Sequence, residues 1–487
     1  MGALSFIIYN QSCKTYNIEF SNYFLKSKSR GPDNSSYTIE HSQNISPLKI
    51  SPDTLKMNLS RSELANYSMH TFIYNHHRLC INDNSIDANQ PFEDPIPFKI
   101  KDYPDLRKRP KRKLLCDGEI YNYSELKESE NFSDKDLQSN CDVEIILPLY
   151  IKYGIEKTLN MLNGDFSFIL TENTNTFILK SINIFCARDR YGVKPLWYIT
   201  TKDESFFMFT SDIESVPDFI KTQSQYSINE VYPGTYWSYQ TKNFKSYIDE
   251  TYIDQTLIDK TDPGTLQYIY NNIETLLQKA CDIRIHNDND TSQSIGILLD
   301  STNFNSCLIT ILLLKSYISS SKSIHLFSFN NENLDFINYI EKKYNQSNNN
   351  KLFHHIIYDN EYQIKDNDNI SIKSNKSSIT TKSTLNNIYK YIKLHNINIK
   401  ICYSGYGLNQ IWLNKKLNVS KYEYEAGKYG IELRFPYIDI YFINFISRLD
   451  HILKQDRNYK VNSKPIDKYI IRKTFEKELP EDITWSN

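Results

Sequence analysis

Ile295-Gly296-Ile297-Leu298-Leu299-Asp300-Ser301-Thr302-Asn303-Phe304-Asn305-Ser306-Cys307-Leu308-Ile309-Thr310-Ile311-Leu312 is the stretch on which the fold of the second half turns. Four apolar residues and one glycine reach a polar break, and then Phe304, Cys307, Leu308, Ile311 and Leu312 recur at the spacing of one helix face. A buried strand therefore feeds a helix. The pattern repeats downstream: a strand over Ile324–Phe329, a helix from about Leu334 to Tyr344, and strands over Phe353–Tyr358 and Ile399–Tyr403. Short strands alternating with helices predict an α/β unit on a parallel sheet. Asn-rich tracts at Asn287–Gln293, Asn345–Asn350 and Asp366–Thr384 read as lengthened surface loops.

Upstream the rhythm changes. Short alternating runs at Met69–Tyr74, Lys113–Tyr121, Phe166–Thr171, Asn183–Ala187, Phe206–Thr210 and Thr235–Tyr239 predict strands. One helix interrupts them, with Val143, Ile146, Leu147, Tyr150 and Ile151 on one face, Ser139-Asn140 ahead of it as cap and Gly154 at its end. The first half thus reads as a layered α+β domain over 1–247. Residues 248–264 read as a polar linker ending in Asp262-Pro263-Gly264, and 265–487 as the second domain, opening on a helix that carries Leu266, Ile269, Ile273, Leu276 and Leu277.

The 487 residues give room for two to four domains of roughly 150 residues each. Lys plus Arg number 57 against 58 Asp plus Glu, which disfavours a general nucleic-acid or membrane-surface binder. The longest apolar run, Cys307–Leu314, is interrupted by Thr310 and falls short of the ~18 residues of a membrane span. Eight cysteines never form a CxxC pair and no secretory leader opens the chain, so a cytoplasmic protein without a zinc site is expected.

Ordered motifs then carry a family resemblance. Arg30-Gly31-Pro32-Asp33, His76-His77-Arg78-Leu79, Gln90-Pro91, Asp117-Gly118-Glu119-Ile120-Tyr121-Asn122, Asp142-Val143-Glu144, Leu162-Asn163-Gly164-Asp165-Phe166, Arg188-Asp189-Arg190-Tyr191-Gly192-Val193-Lys194-Pro195-Leu196 and Pro233-Gly234 resemble the class II glutamine amidotransferase domain. Ser404-Gly405-Tyr406-Gly407, Glu432-Leu433-Arg434-Phe435-Pro436-Tyr437-Ile438-Asp439 and Lys468-Tyr469-Ile470-Ile471-Arg472-Lys473 resemble the synthetase domain of asparagine synthetase. The resemblance implies an α+β Ntn-type sandwich followed by an α/β parallel-sheet, ATP-pyrophosphatase-like domain. It also implies a reaction in which glutamine supplies nitrogen and ATP with Mg²⁺ activates aspartate, giving asparagine, glutamate, AMP and pyrophosphate. Glutamine, aspartate and ATP are the ligands so implied, a homodimer is an assembly it allows, and no nucleic-acid or membrane partner is expected.

By motif position, Arg78 would hold the glutamine α-carboxylate through its forked guanidinium, and Glu119 and Asp142 its α-ammonium, with Asp117 and Gly118 beside them. Leu298, Phe329, Ser404 and Gly405 would contact ATP, and Asp439 and Lys468 the pyrophosphate and the adenylate intermediate. Four departures from the family pattern bear on chemistry. Gly2 stands where relatives carry the N-terminal cysteine nucleophile, and Asp117 replaces a carboxamide donor of the oxyanion hole, the kind of donor whose removal costs about 10²–10³ in rate. Asp300–Asn305 replaces the glycine-rich pyrophosphate loop and puts Phe304 at the metal-binding aspartate, so no metal ligand is expected there. Tyr406-Gly407-Leu408-Asn409-Gln410 neutralises an acidic loop, with Tyr406 at the acid–base position. The family's closing basic segment is likewise expected to be missing after Trp485-Ser486-Asn487. Two readings stay open: a working glutamine-dependent asparagine synthetase, and a catalytically silent homologue serving as a ligand-binding or interaction module. A non-hydrolysing glutamine or aspartate sensor is a variant of the second.

Overall fold

The computed structural model describes residues 2–10, 20–41, 48–50, 70–94, 110–173, 182–248, 263–286, 294–317, 322–329, 333–344, 352–357, 382–449, 455–461 and 464–486. The chain divides into two compact units, Met1–Asp249 and Glu250–Asn487. Most of the expected linker 248–264 and most of the Asn-rich tracts lie outside the described residues.

In the first unit the strands are β1 (Gly2–Asn10), β2 (Asn34–His41), β3 (Leu48–Ile50), β4 (His70–Arg78), β5 (Phe92–Glu93), β6 (Lys111–Ile120), β7 (Gly164–Asn173), β8 (Ile182–Arg188), β9 (Trp197–Thr201), β10 (Phe206–Thr210), β11 (Tyr226–Glu230), β12 (Thr235–Ser238) and β13 (Asn243–Ser246). They pair antiparallel into two sheets, of order β11-β9-β10-β1-β4-β2-β3 and β13-β12-β8-β7-β6-β5. The side-chain period of two gives each sheet two faces, and both are used. Leu4, Phe6, Phe72 and Tyr74 of the first sheet meet Leu115, Ile169, Ile184, Cys186 and Trp237 of the second in one core. The opposite face of the second sheet, with Leu114, Cys116, Phe166 and Phe168, packs on Val143, Ile146, Leu147 and Tyr150. The opposite face of the first, with Ile7, Ile73 and Met208, packs on Phe20, Phe24 and Ile220. Helix, sheet, sheet and helix layers make the expected sandwich.

The expected Ser139-Asn140 cap needs correcting. The helix Ile146–Tyr153 is preceded by a 3₁₀ turn over Asp142–Ile145 whose flanking residue is Cys141, with no side-chain cap. Instead Glu144 reaches back, accepting from the Gln138 and Ser139 amides at 2.6 and 2.9 Å and from Ser139 Oγ at 2.6 Å. Gly154 ends the helix as expected, at φ 75°.

The second unit holds β14 (Ser294–Leu298), β15 (Ile324–Phe329), β16 (Leu352–Ile357), β17 (Ile399–Ser404) and β18 (Glu432–Arg434), all parallel, in the order β16-β15-β14-β17-β18. A two-stranded ribbon of β19 (Gln455–Val461) and β20 (Lys464–Asp467) follows. The helix Phe304–Tyr317 is buried along nearly its whole length, which explains its all-round apolar composition. The chain winds from β14 through β15 to β16 and then returns to place β17 on the other side of β14. That reversal opens the crevice where ligands bind in such sheets, beyond the carboxyl ends of β14 and β17. Among the described residues no helix is long and apolar enough to cross a membrane, and all seven cysteines are free thiols; Cys13 lies outside them.

Candidate functional site

Each unit brings its own set of motif residues together. In the first, the antiparallel pairing of β1 with β4 sets Gly2 opposite Arg78 and Ala3 opposite His77. Gly2 has φ +142°, and a Cβ built on it would lie 1.7 Å from the His77 carbonyl oxygen. No L side chain fits that backbone. His77 cannot readily move aside, because its ring is tied at both nitrogens, to Ser35 Oγ at 2.8 Å and to the Phe24 carbonyl at 2.6 Å.

Asp117, on β6, completes the closure. Its Oδ1 accepts from the Gly2 amide at 3.2 Å and faces Lys194 Nζ at 3.8 Å, while Oδ2 faces Arg30 Nη2 at 3.5 Å. All three charged side chains are buried. Burial alone would raise the Asp117 carboxyl, but Lys194 and Arg30 outweigh it and hold the group below the usual carboxylate range. An ionised acceptor therefore sits at position 117, where the family resemblance implies an oxyanion-hole donor. Arg30 and Lys194 belong to quoted motifs, yet their convergence on position 117 was not read from the sequence. His76 is buried on β4 with Nε2 lacking a hydrogen-bond partner among the described residues; burial drives its pKa well below the ordinary 6.5.

Arg78, buried at the end of β4, donates from Nη1 to the Ser85 carbonyl at 2.7 Å and to Asn89 Oδ1 at 2.9 Å, and from Nη2 to the Asp83 carbonyl. These bonds fix the plane of the guanidinium. Glu119 and Asp142 are 1% and 3% exposed, and one atom joins them: Asn82 Nδ2 donates to Glu119 Oε2 at 2.8 Å and to Asp142 Oδ1 at 3.0 Å. The other Asp142 oxygen accepts from the Ile120 amide. Gly118 lies against β7, where a Cβ would be 2.4 Å from the Asp165 carbonyl oxygen, so strand pairing accounts for that glycine. Asn82 had no place in the sequence reading.

In the second unit Leu298 and Ser404 are in register at the carboxyl ends of β14 and β17, and Phe329 ends β15. The crevice between them is bridged by neutral contacts. Asn305 Nδ2 donates to Asn409 Oδ1 at 3.0 Å, Tyr437 Oη donates to the Asn305 carbonyl at 3.0 Å, and Gly405 is so close that a Cβ there would be 2.8 Å from Ser306 Cα. Asp300 turns onto its own loop, Oδ1 accepting from the Thr302 amide at 3.2 Å and hydroxyl at 2.8 Å. Asn303 caps the helix by accepting from the Asn305 and Ser306 amides. Phe304 is buried beneath the Arg472 guanidinium, 4.4 Å from its ring centroid.

Tyr406 accepts from Gln410 Nε2 at 2.9 Å and packs edge-on against Tyr422; burial and that neighbour raise its phenol to about 12, so it holds its proton at neutral pH. Asp439 is the N-cap of the helix Ile440–Arg448, and its other oxygen meets buried Arg284 at 3.2 Å. Lys468 has a left-handed backbone and pairs with Asp467 at 2.7 Å; burial pulls its pKa below the ordinary lysine value. Among the described residues no three His, Cys, Asp or Glu side chains are placed to hold a metal ion.

Residues 63–251 match the glutamine amidotransferase domain family and residues 416–487 the asparagine synthase family. The chain is 28% identical over 442 residues to a Mus musculus protein named asparagine synthetase (glutamine-hydrolyzing), covering 80% of this chain and 72% of the relative. The Gallus gallus protein of the same name is 27% identical over 435 residues, with the same coverage. Of solved structures, an allosteric regulatory enzyme of purine biosynthesis matches at a TM-score of 0.37 and 14% identity, covering 72% of this chain and 80% of that one. A glutamine phosphoribosylpyrophosphate amidotransferase from B. subtilis matches at 0.36 and 16%, covering 64% of each chain. Likeness at that level adds nothing to the fold already described.

Proposed function

We propose, from the premise that this chain belongs to the asparagine synthetase family, that it is a homologue whose amidotransferase unit binds glutamine without hydrolysing it and whose synthetase-like unit does not run the family reaction efficiently. That reaction is the ATP-dependent amidation of aspartate with glutamine as nitrogen donor. The observation that carries the reading is position 2, where the backbone at φ +142° and the His77 carbonyl leave no room for any nucleophilic side chain.

Binding is supported by Arg78, Glu119 and Asp142, which offer a planar cation for a carboxylate and two carboxylates for an ammonium. Glutamine is the ligand; aspartate and ATP are the other molecules that the relatives imply. Leu298, Phe329, Ser404 and Gly405 fit a nucleotide by their place at the carboxyl ends of the parallel strands, and Asp439 and Lys468 are the residues for a pyrophosphate or intermediate. Mg²⁺ does not fit: Phe304 offers no oxygen, and Asp300 is turned onto Thr302.

The test incubates the full-length protein with ATP, Mg²⁺ and aspartate, with glutamine in one tube and ammonium in another, and measures glutamate, asparagine and pyrophosphate, alongside calorimetric binding of glutamine. Binding without glutamate release is expected, with Arg78→Ala abolishing the binding. Glutamate release at a rate typical of enzymes would overturn the silent glutaminase, and asparagine from ammonium would restore the synthetase.

A further inference from the structure

The bridge between Glu119 and Asp142 has an amide nitrogen where a glutamine-binding site needs a substrate ammonium. Two carboxylates, both buried, accept hydrogen bonds from a single side-chain atom, Asn82 Nδ2, at 2.8 and 3.0 Å. Only the nitrogen end of the Asn82 amide can donate, and that is the end that faces both carboxyl groups. The opposite end is left over: Asn82 Oδ1 is buried without a hydrogen-bond partner among the described residues. An amide that forgoes bonding at its oxygen to place its nitrogen between two acids is held there by those acids. The same segment supplies Arg78 with three oxygens, the Asp83 and Ser85 carbonyls and Asn89 Oδ1. One loop thus offers nitrogen to the acids and oxygen to the cation, as an α-amino acid would.

We infer that Asn82 is a built-in competitor that occupies the ammonium seat and sets the affinity and selectivity of the pocket for α-amino acids. The inference rests on the glutamine-binding reading above and deepens it. An incoming ammonium carries a full charge and three donors, so it displaces Asn82, at the cost of two hydrogen bonds to charged groups. Removing the competitor leaves two adjacent carboxylates with less to satisfy them, which strengthens the pull on a cation. A ligand with no α-amine leaves Asn82 in place and is indifferent to it.

Calorimetry on the full-length protein uses two probes, glutamine and glutaramate, the latter keeping the carboxylate and side-chain amide but lacking the α-amine. Asn82→Ala should tighten glutamine roughly tenfold and leave glutaramate unchanged, with circular dichroism checking that the fold is kept. Asn82→Val, which also removes the donor but fills more of the space, should tighten glutamine in the same direction. Glutamine binding that only these variants show also supports the inference. If wild type binds glutamine, Arg78→Ala abolishes it and neither Asn82 variant tightens it, the competitor role is wrong while the binding reading stands. If neither wild type nor any Asn82 variant binds glutamine, the binding reading falls and takes this inference with it.

Discussion

The pocket of the first unit and the crevice of the second depart from the family pattern to a similar degree, yet the replacements differ in kind. Around Asp117 the substitution adds a charge that Arg30 and Lys194 balance, and the carboxyl groups of Glu119 and Asp142 remain in the same unit, joined through Asn82 Nδ2. At the carboxyl ends of β14 and β17 the replacements are amides and rings: Asn305 on Asn409, Tyr437 on Asn305, Tyr406 on Tyr422. Buried charges are costly unless paired, so a pocket that keeps them remains able to reward a charged ligand. The contacts that cross the second crevice join neutral groups. A catalytic residue and a binding pocket can be lost independently of one another.

The strongest attempt to break this comparison is Gly2→Cys. If the first unit lacked only its nucleophile, the change would restore glutamate release. The geometry predicts instead no activity and a loss of at least about 5 kcal/mol of stability, since the clash is with backbone at a left-handed φ. A variant with unchanged Tm that hydrolyses glutamine would sink the argument. Next in size is Asp439→Ala, expected to cost about 3–4 kcal/mol by removing a helix cap and leaving Arg284 buried without its carboxylate. Chemical denaturation measures it; a cost below about 1 kcal/mol would show that Asp439 is held for a ligand and not for the fold.

Elements with one dominant period were legible in the sequence. Phe206–Thr210 and Ile324–Phe329 are buried at every position, and the helix Leu334–Tyr344 carries its apolar residues on one face, so pattern alone placed them. The three-residue strand Glu432–Arg434 was not, because no periodicity can show in three residues. The site was legible where motifs are contiguous, as at Asp117–Glu119. It was not where side chains meet across the fold: Arg30 reaches Asp117 from 87 positions away, and Asn82 reaches Asp142 from 60. Sequence spacing carries no signal for such meetings, which depend on strand pairing and layer stacking.

Two smaller effects sharpen the comparison. Phe304→Leu keeps an apolar side chain in the helix but removes the ring beneath Arg472, and should cost about 1 kcal/mol in a denaturant midpoint, with no gain in ATP binding. Tighter binding of ATP in that variant would mean the ring blocks a nucleotide site that is otherwise intact.

The last effect is one the two units share, and it tests whether their difference extends to acid. Each hides a neutral imidazole: His76 in the first, lowered by burial, and His325 in the second, brought down to about 4 by burial and by His355. His325 Nδ1 lies 2.9 Å from His355 Nε2, whose ring also meets Tyr391 Oη at 3.1 Å, with the His395 ring tilted against Tyr391. A hydrogen bond between two imidazoles needs one nitrogen without a proton, so double protonation breaks it. Both folded pKa values lie below the unfolded 6.5, so the unfolded chain takes up protons first. This stability is complete above pH 6.5 and is lost as pH falls; for His325 the loss runs down to about 4. Thermal melts between pH 7.5 and 5 should show a falling Tm. His325→Phe, which keeps a ring in the stack but cannot titrate, should flatten part of the fall and leave the part due to His76, His77 and His355. An equal fall in that variant would remove His325 from the account of acid sensitivity and leave His355 and the first unit's His76 and His77, all lowered by burial, to explain it.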